Sequence, residues 1–235
     1  MMSLPKGKSR FAVFCFTVIA IVSWCSVSTA GDVLIIGDSM MKSVAREFKK
    51  QGAAQKLSVD SYTSIGSGLA RLDLLDWNKK AAELIGEHKP KTVVVMMGVN
   101  DNQSMRGAGG TISFGTPAWD IEYGRRCGKL MDVLLANGDR KVVWLGLPCM
   151  REKKPDADAK VISRIIMQQA AARPNVVFIA TYNMFSKDGK YSAYIIKKGG
   201  MPLDVRDDDG IHFNRNGARY IAERVLPVIT GKKTK

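Results

Sequence analysis

No stretch of this 235-residue chain repeats at a fixed period and no tract is low in complexity, which excludes solenoids and long linkers. The main apolar run, Phe11 to Val22, is broken by Thr17. It falls short of the ~20 apolar residues that a comfortable transmembrane helix needs. Histidine is scarce: a reaction that needs an imidazole must choose between His88 and His212. Cysteine is scarce too, and Cys15 and Cys25 lie within the first thirty residues, leaving only Cys127 and Cys149 beyond them.

Those first thirty residues differ from the rest. Lys6, Lys8 and Arg10 precede the apolar run, and Ser28-Thr29-Ala30 offers the small residues that a signal peptidase reads. Residues 1–30 therefore read as a signal peptide cleaved after Ala30, or as a membrane anchor if cleavage fails, and residues 31–235 as one domain. The expected location is periplasmic or extracellular. Val22-Ser23-Trp24-Cys25 is a poor lipoprotein box, because Trp24 is too bulky beside the cysteine. In an exported protein Cys127 and Cys149 can oxidise to a disulfide. Cys127 equally belongs to an apolar helical stripe with Leu130, Met131 and Leu134, as a buried free thiol would. Both readings stand at this stage.

The chain has 36 basic residues; removal of Lys6, Lys8 and Arg10 leaves 33 against 22 acidic ones, a net charge of +11. In a cytoplasmic protein this would suggest nucleic acid. In an exported one it fits an anionic envelope polymer or a membrane surface better. The lysines are scattered rather than clustered on one helix, so plain solubility charge is an equal reading.

Five apolar runs read as strands buried on both faces: Val33–Ile36, Leu57–Val59, Thr92–Met97, Val142–Leu147 and Val176–Ile179. Helical patterns alternate with them: Met41, Val44, Ala45 and Phe48 on a first helix, then Leu72 to Ile85, Trp119 to Ala136 and Ala157 to Ala171. A last helix follows the N-cap Asn214 and carries Ala218, Ile221, Ala222 and Val225 on one face. This alternation implies an α/β fold with a parallel sheet and helices on both sides. Two long connections, Asn102–Pro117 and Thr181–Gly210, are expected to build a site.

Three short blocks fall where such a fold collects ligands, at the carboxyl ends of its strands. Ser39, in Gly37-Asp38-Ser39, opens the first helix, where amides and the positive dipole end favour developing negative charge. The bland alternative is an ordinary serine cap. Asn100, in Gly98-Val99-Asn100-Asp101, can aim a side-chain amide at an oxyanion; otherwise it is a turn residue. Asp101 is expected to hold the turn. His212 lies at the same end, three residues after Asp209, and can accept a serine proton while Asp209 fixes its tautomer. His88 precedes a strand, at the other end. Asp207 and Asp208 read as solvated, since a calcium loop needs further oxygen ligands at regular spacing. In Ser64-Ile65-Gly66-Ser67-Gly68 a glycine amide is placed to complete an oxyanion hole with the Ser39 amide, Gly68 before Gly66.

Ser39, a loop glycine, Asn100 and His212, in that order and with an aspartate three before the histidine, resemble the SGNH (GDSL-type) hydrolase superfamily. The blocks Ile36 to Met40, Ser67 to Ala70, Gly98 to Gln103, Val143 to Pro148 and Asp209 to Phe213 are similar to an exported bacterial family known mainly as a domain of unknown function. The likeness spans the chain after residue 30. It implies a three-layer α/β/α sandwich with a five-stranded parallel sheet (flavodoxin-like). It also implies ester hydrolysis or acyl transfer with no metal or organic cofactor. Met40 stands where leucine is frequent in the superfamily, at a packing position.

The leading expectation is an exported serine esterase acting on O-acyl groups of envelope or extracellular carbohydrate, or on a small ester, with no nucleic-acid partner. A transferase would use the same residues and resolve the acyl-enzyme with a sugar hydroxyl. A non-catalytic envelope-binding module is the reading from a different class. Asn102, Gln103, Arg151 and Arg206 lie on loops at the site end and are candidates for binding polar substrate groups. Trp119 and Tyr123 either line a sugar surface or, at helical spacing, pack their helix.

Overall fold

The computed structural model describes residues 32–136, 139–197 and 199–231, so the expected signal segment lies outside the described residues. In chain order, β1 (Val33–Gly37) leads into α1 (Ser39–Ala54), and β2 (Val59–Thr63) into α2 (Trp77–His88). Next come β3 (Thr92–Met96), a hairpin of β4 (Met105–Gly107) and β5 (Gly110–Ile112), and α3 (Pro117–Leu135). β6 (Lys141–Leu145), α4 (Lys153–Ala171) and β7 (Val176–Ile179) continue the alternation. Two small hairpins, β8 (Ser186–Lys187) with β9 (Lys190–Tyr191) and β10 (Tyr194–Ile196) with β11 (Pro202–Asp204), precede α5 (Arg215–Thr230).

The five long strands form one parallel sheet in the order β2-β1-β3-β6-β7. Alternate residues along each strand point to opposite faces. Val33, Ile35, Val94, Met96 and Val143 meet α1 and α5; Leu34, Ile36, Val93, Val95 and Trp144 meet α2, α3 and α4. This is the expected three-layer α/β/α sandwich with flavodoxin-like strand order.

Three boundaries differ from the sequence reading. The second strand is Val59–Thr63 rather than Leu57–Val59, because it is a half-buried edge strand whose polar residues give no apolar run. Leu57 instead follows a left-handed turn at Lys56 (φ 60°) and packs toward α1. The second helix starts at Trp77, not Leu72, because the Asp76 side chain caps the amides of Asn78 and Lys79. The fourth starts at Lys153 rather than Ala157, with Pro155 tolerated in its first turn.

The chain reverses direction across the sheet between β1 and β3, which leaves a crevice at their carboxyl ends. Gly37 closes β1 there, and a Cβ on it would lie 2.0 Å from the Met96 carbonyl oxygen. A methyl group cannot fit without parting the two central strands. Gly37→Ala is therefore expected to cost about 1–3 kcal/mol. Urea denaturation should show this as a lower midpoint at unchanged slope; an unchanged midpoint would contradict the strand spacing.

Candidate active site

Ser39 is the first residue of α1, and the residue before it organises the turn. Asp38 is fully buried; one carboxylate oxygen accepts from the Met40 amide at 2.9 Å. The other accepts from the amides of Gly98 (2.9 Å) and Val99 (3.3 Å), tying the β1–α1 turn to the loop after β3. Burial pushes the Asp38 carboxyl up to about 7, against the pull of the Gly98, Met40 and Val99 amides.

The Ser39 hydroxyl lies 2.8 Å from His212 Nε2, and His212 Nδ1 lies 2.5 Å from Asp209 Oδ2. Asp209 Oδ1 accepts from the amides of Ile211 (2.7 Å) and His212 (2.9 Å), so a three-residue turn orients the acid and the imidazole together. Burial raises the Asp209 carboxyl, but the His212 side chain and these two amides outweigh it and hold it at about 2. The turn precedes α5, where Asn214 caps the amides of Asn216 and Gly217. His88 lies at the opposite end of the sheet, 3.2 Å from Asp60.

The loop after β2 completes the arrangement. Asn100 Nδ2 donates to the Ser67 carbonyl at 3.0 Å, which leaves its second N–H. Asp101, also fully buried, accepts from the amides of Leu69 (3.0 Å) and Ala70 (2.8 Å) and from the Tyr123 hydroxyl (2.8 Å). Burial pushes its carboxyl up, while the Ala70 amide, Tyr123, the Leu69 amide and the charge of Arg126 pull it down. A Cβ on Gly68 would meet Asp101 Oδ1 at 2.1 Å, so only glycine lets this loop close on the carboxylate. The amides of Ser39 and Gly68 donate to no backbone acceptor among the described residues. Gly66 adopts φ 75° and turns the loop.

The remaining candidates separate. Asn102 Nδ2 donates to Asp158 at 2.9 Å on the wall of a cavity of about 240 Å³ beside Val99 and Ile211. Gln103 donates to the Asn100 carbonyl, and its own carbonyl accepts from Trp119 Nε1 at 2.9 Å. Arg151 is exposed and donates to the Asp208 carbonyl at 2.6 Å, bracing the aspartate turn. Arg206, a candidate for binding polar substrate groups, is instead 3 % exposed. Its guanidinium donates to the carbonyls of Ile211 (2.8 Å) and Gly210 (3.2 Å), packed beneath the histidine turn against Phe213 and Tyr191. Trp119 and Tyr123 are fully buried and stacked at 4.5 Å, which settles them as packing residues. Asp207 and Asp208 are exposed. Cys127 and Cys149 are free, buried thiols, Cys149 lying 3.3 Å from the Tyr182 hydroxyl. Sequence reasoning missed Tyr123 and Arg126 as loop supports. Arg126 donates to the Leu69 carbonyl at 2.8 Å, a contact 57 residues away that no local pattern signals.

The family described as "Protein of unknown function (DUF459)" matches residues 32–228, and the chain belongs to it. No curated protein matches the chain. Among solved structures, a GDSL-like lipase from Bacteroides thetaiotaomicron superposes at TM-score 0.63 with 14% identity, over 86% of this chain and 89% of that one. The periplasmic domain of a lipopolysaccharide acetyltransferase from Salmonella ser. Paratyphi A gives 0.58 and 11%, over 86% and 85%. A family two carbohydrate esterase from Clostridium thermocellum, in complex with cellohexaose, gives 0.55 and 15%, over 86% and 64%. The fold is thus that of the SGNH superfamily that the motif blocks resemble.

The Asp209 carboxyl lies below its ordinary value of 3.8, so the stability it contributes is complete above that pH and is lost as pH falls through about 2. A carboxyl-carbon NMR titration of the folded protein should place its midpoint near 2. A midpoint at or above the ordinary value would mean that the contact with His212 does not form.

Proposed function

We propose that the protein is an exported serine esterase that removes O-acyl groups, acetyl foremost, from envelope or extracellular carbohydrate. The observation that carries this reading is the contact of Ser39 Oγ with His212 Nε2 at 2.8 Å, backed by Asp209 at 2.5 Å. A serine hydroxyl is a weak nucleophile until an imidazole takes its proton. In the proposed mechanism Ser39 Oγ attacks the ester carbonyl carbon as its proton passes to His212 Nε2. Asp209 stabilises the imidazolium so formed. The amides of Ser39 and Gly68 and the side chain of Asn100 receive the oxyanion. Collapse releases the alcohol with the proton from His212 and leaves an acyl-Ser39. Water, deprotonated by His212, then attacks the acyl carbon, and Ser39 leaves with that proton to restore the enzyme.

Neighbours that include a GDSL-like lipase and a carbohydrate esterase support an acyl-transferring role on this fold. The cavity of about 240 Å³ beside Val99 and Ile211 suits a short acyl group better than a long chain. Export is supported by residues 1–30 and by the periplasmic neighbour; among the described residues no helix is long and apolar enough to cross a membrane. That same neighbour, an acetyltransferase, favours a second reading, in which a sugar hydroxyl rather than water resolves the acyl-enzyme. A non-catalytic binding module has no need of an aligned acid, base and hydroxyl.

The processed protein should turn over p-nitrophenyl acetate. Ser39→Ala and His212→Ala are each expected to lower kcat at least ~100-fold, and Asn100→Ala by a similar factor through the lost oxyanion donor. A folded wild type that neither turns over this ester nor reacts with a fluorophosphonate would overturn the reading. Adding a sugar acceptor separates hydrolysis from transfer by the product formed.

A further inference from the structure

We propose that the cavity between the Gly68 loop and β4 is a subsite for an uncharged pyranose ring, the ring next to the one that carries the ester; this rests on Ser39 being the nucleophile. The cavity holds about 590 Å³, within the range of small-molecule sites. Its lining comes from two stretches, residues 70–73 and 103–106, and from Arg126 on α3.

Both stretches start beside the oxyanion donors. Ala70 follows Gly68 by two residues, which span at most about 7 Å. Gln103 follows Asn100 by three, and its side-chain amide donates to the Asn100 carbonyl. Arg126 donates at 2.8 Å to the carbonyl of Leu69, the residue between Gly68 and Ala70. A ring resting in the cavity is therefore a near neighbour of an ester whose carbonyl oxygen lies at the Gly68 amide and Asn100.

The polar groups of the cavity suit hydroxyls better than anions. Arg71 and Asp73 form a closed fork, Nε to Oδ1 at 3.0 Å and Nη2 to Oδ2 at 2.9 Å, with side chains 27% and 63% exposed. Arg126 is buried; Glu122 accepts from its Nε at 2.8 Å, and the carbonyls of Leu69 and Arg106 accept from its terminal nitrogens. Three of its five N–H groups are engaged in this way and two remain. Arg71 and Arg126 are thus each matched by a carboxylate, and the remaining cation of the lining is the exposed Arg106. Concentrating a polyanion takes a cleft lined with one sign of charge, which this is not. A sugar hydroxyl donates and accepts at once, and a guanidinium beside a carboxylate offers it both partners. Leu72 and Met105 line the same cavity and give apolar surface for the C–H face of a ring.

The test is binding of tetrasaccharides to the Ser39→Ala protein, followed by amide NMR. Cellotetraose and N-acetylchitotetraose are the uncharged probes, and tetragalacturonate is the acidic one. At least one uncharged probe is expected to bind, more tightly than tetragalacturonate, with shift changes at Arg71, Leu72, Ser104 and Arg106. Arg71→Ala/Asp73→Ala should weaken that binding about tenfold. The pair is local and lies at the surface, so an unchanged thermal midpoint is expected. Lys197→Gln/Glu223→Gln breaks a pair on the α5 side of the sheet and should leave the affinity unchanged. No binding of either uncharged probe, shift changes confined to other residues, tighter binding of tetragalacturonate, or equal losses in the two double variants would overturn the proposal. Failure of the esterase reading shows separately, as a wild type that does not turn over p-nitrophenyl acetate.

Discussion

The arrangement at the carboxyl ends of the strands depends on a carboxylate that never meets solvent. Asp38 stands between the first helix and the loop after the third strand and accepts amides from both. A buried amide without a partner costs about 1–3 kcal/mol, so three amides converging on one side chain fix the position of Ser39 relative to Asn100. Asp101 repeats the device one loop further out, taking two amides of the Gly68 loop and the hydroxyl of Tyr123. Neither aspartate touches the serine hydroxyl, yet together they decide where it lies.

The third component is held differently. Asp209 and His212 sit on one turn, organised by the two amides that the acid itself accepts. Beneath them the buried Arg206 donates to the carbonyls of Gly210 and Ile211 and faces the rings of Phe213 and Tyr191. A cation surrounded by aromatic faces and carbonyl oxygens is desolvated, and burial accordingly lowers its pKa. The turn thus rests on a rigid base and not on a loop free to wander.

The central strands and the placement of the three blocks were legible because a buried parallel sheet forces apolar runs and puts its ligand-bearing residues just after them. Edge strand β2 escaped that logic, since half of its surface is wet and its sequence Val-Asp-Ser-Tyr-Thr carries no run to detect. Arg206 was misplaced for a related reason. An arginine in an acidic turn segment reads as surface, and only the fold shows Phe185, Phe213 and Tyr191 closing around it. Tyr123 reads from its spacing as helix packing, and the distant loop that it and Arg126 support has no local signature.

Ser39 and His212 are 173 residues apart in the chain, yet their reactive atoms meet. The histidine enters only with the turn before α5, after all five strands of the sheet. A chain that lacks this turn and the helix after it has no imidazole beside Ser39. Packing of α5 against α1 therefore brings Ser39 and His212 together, and the candidate site depends on the whole fold.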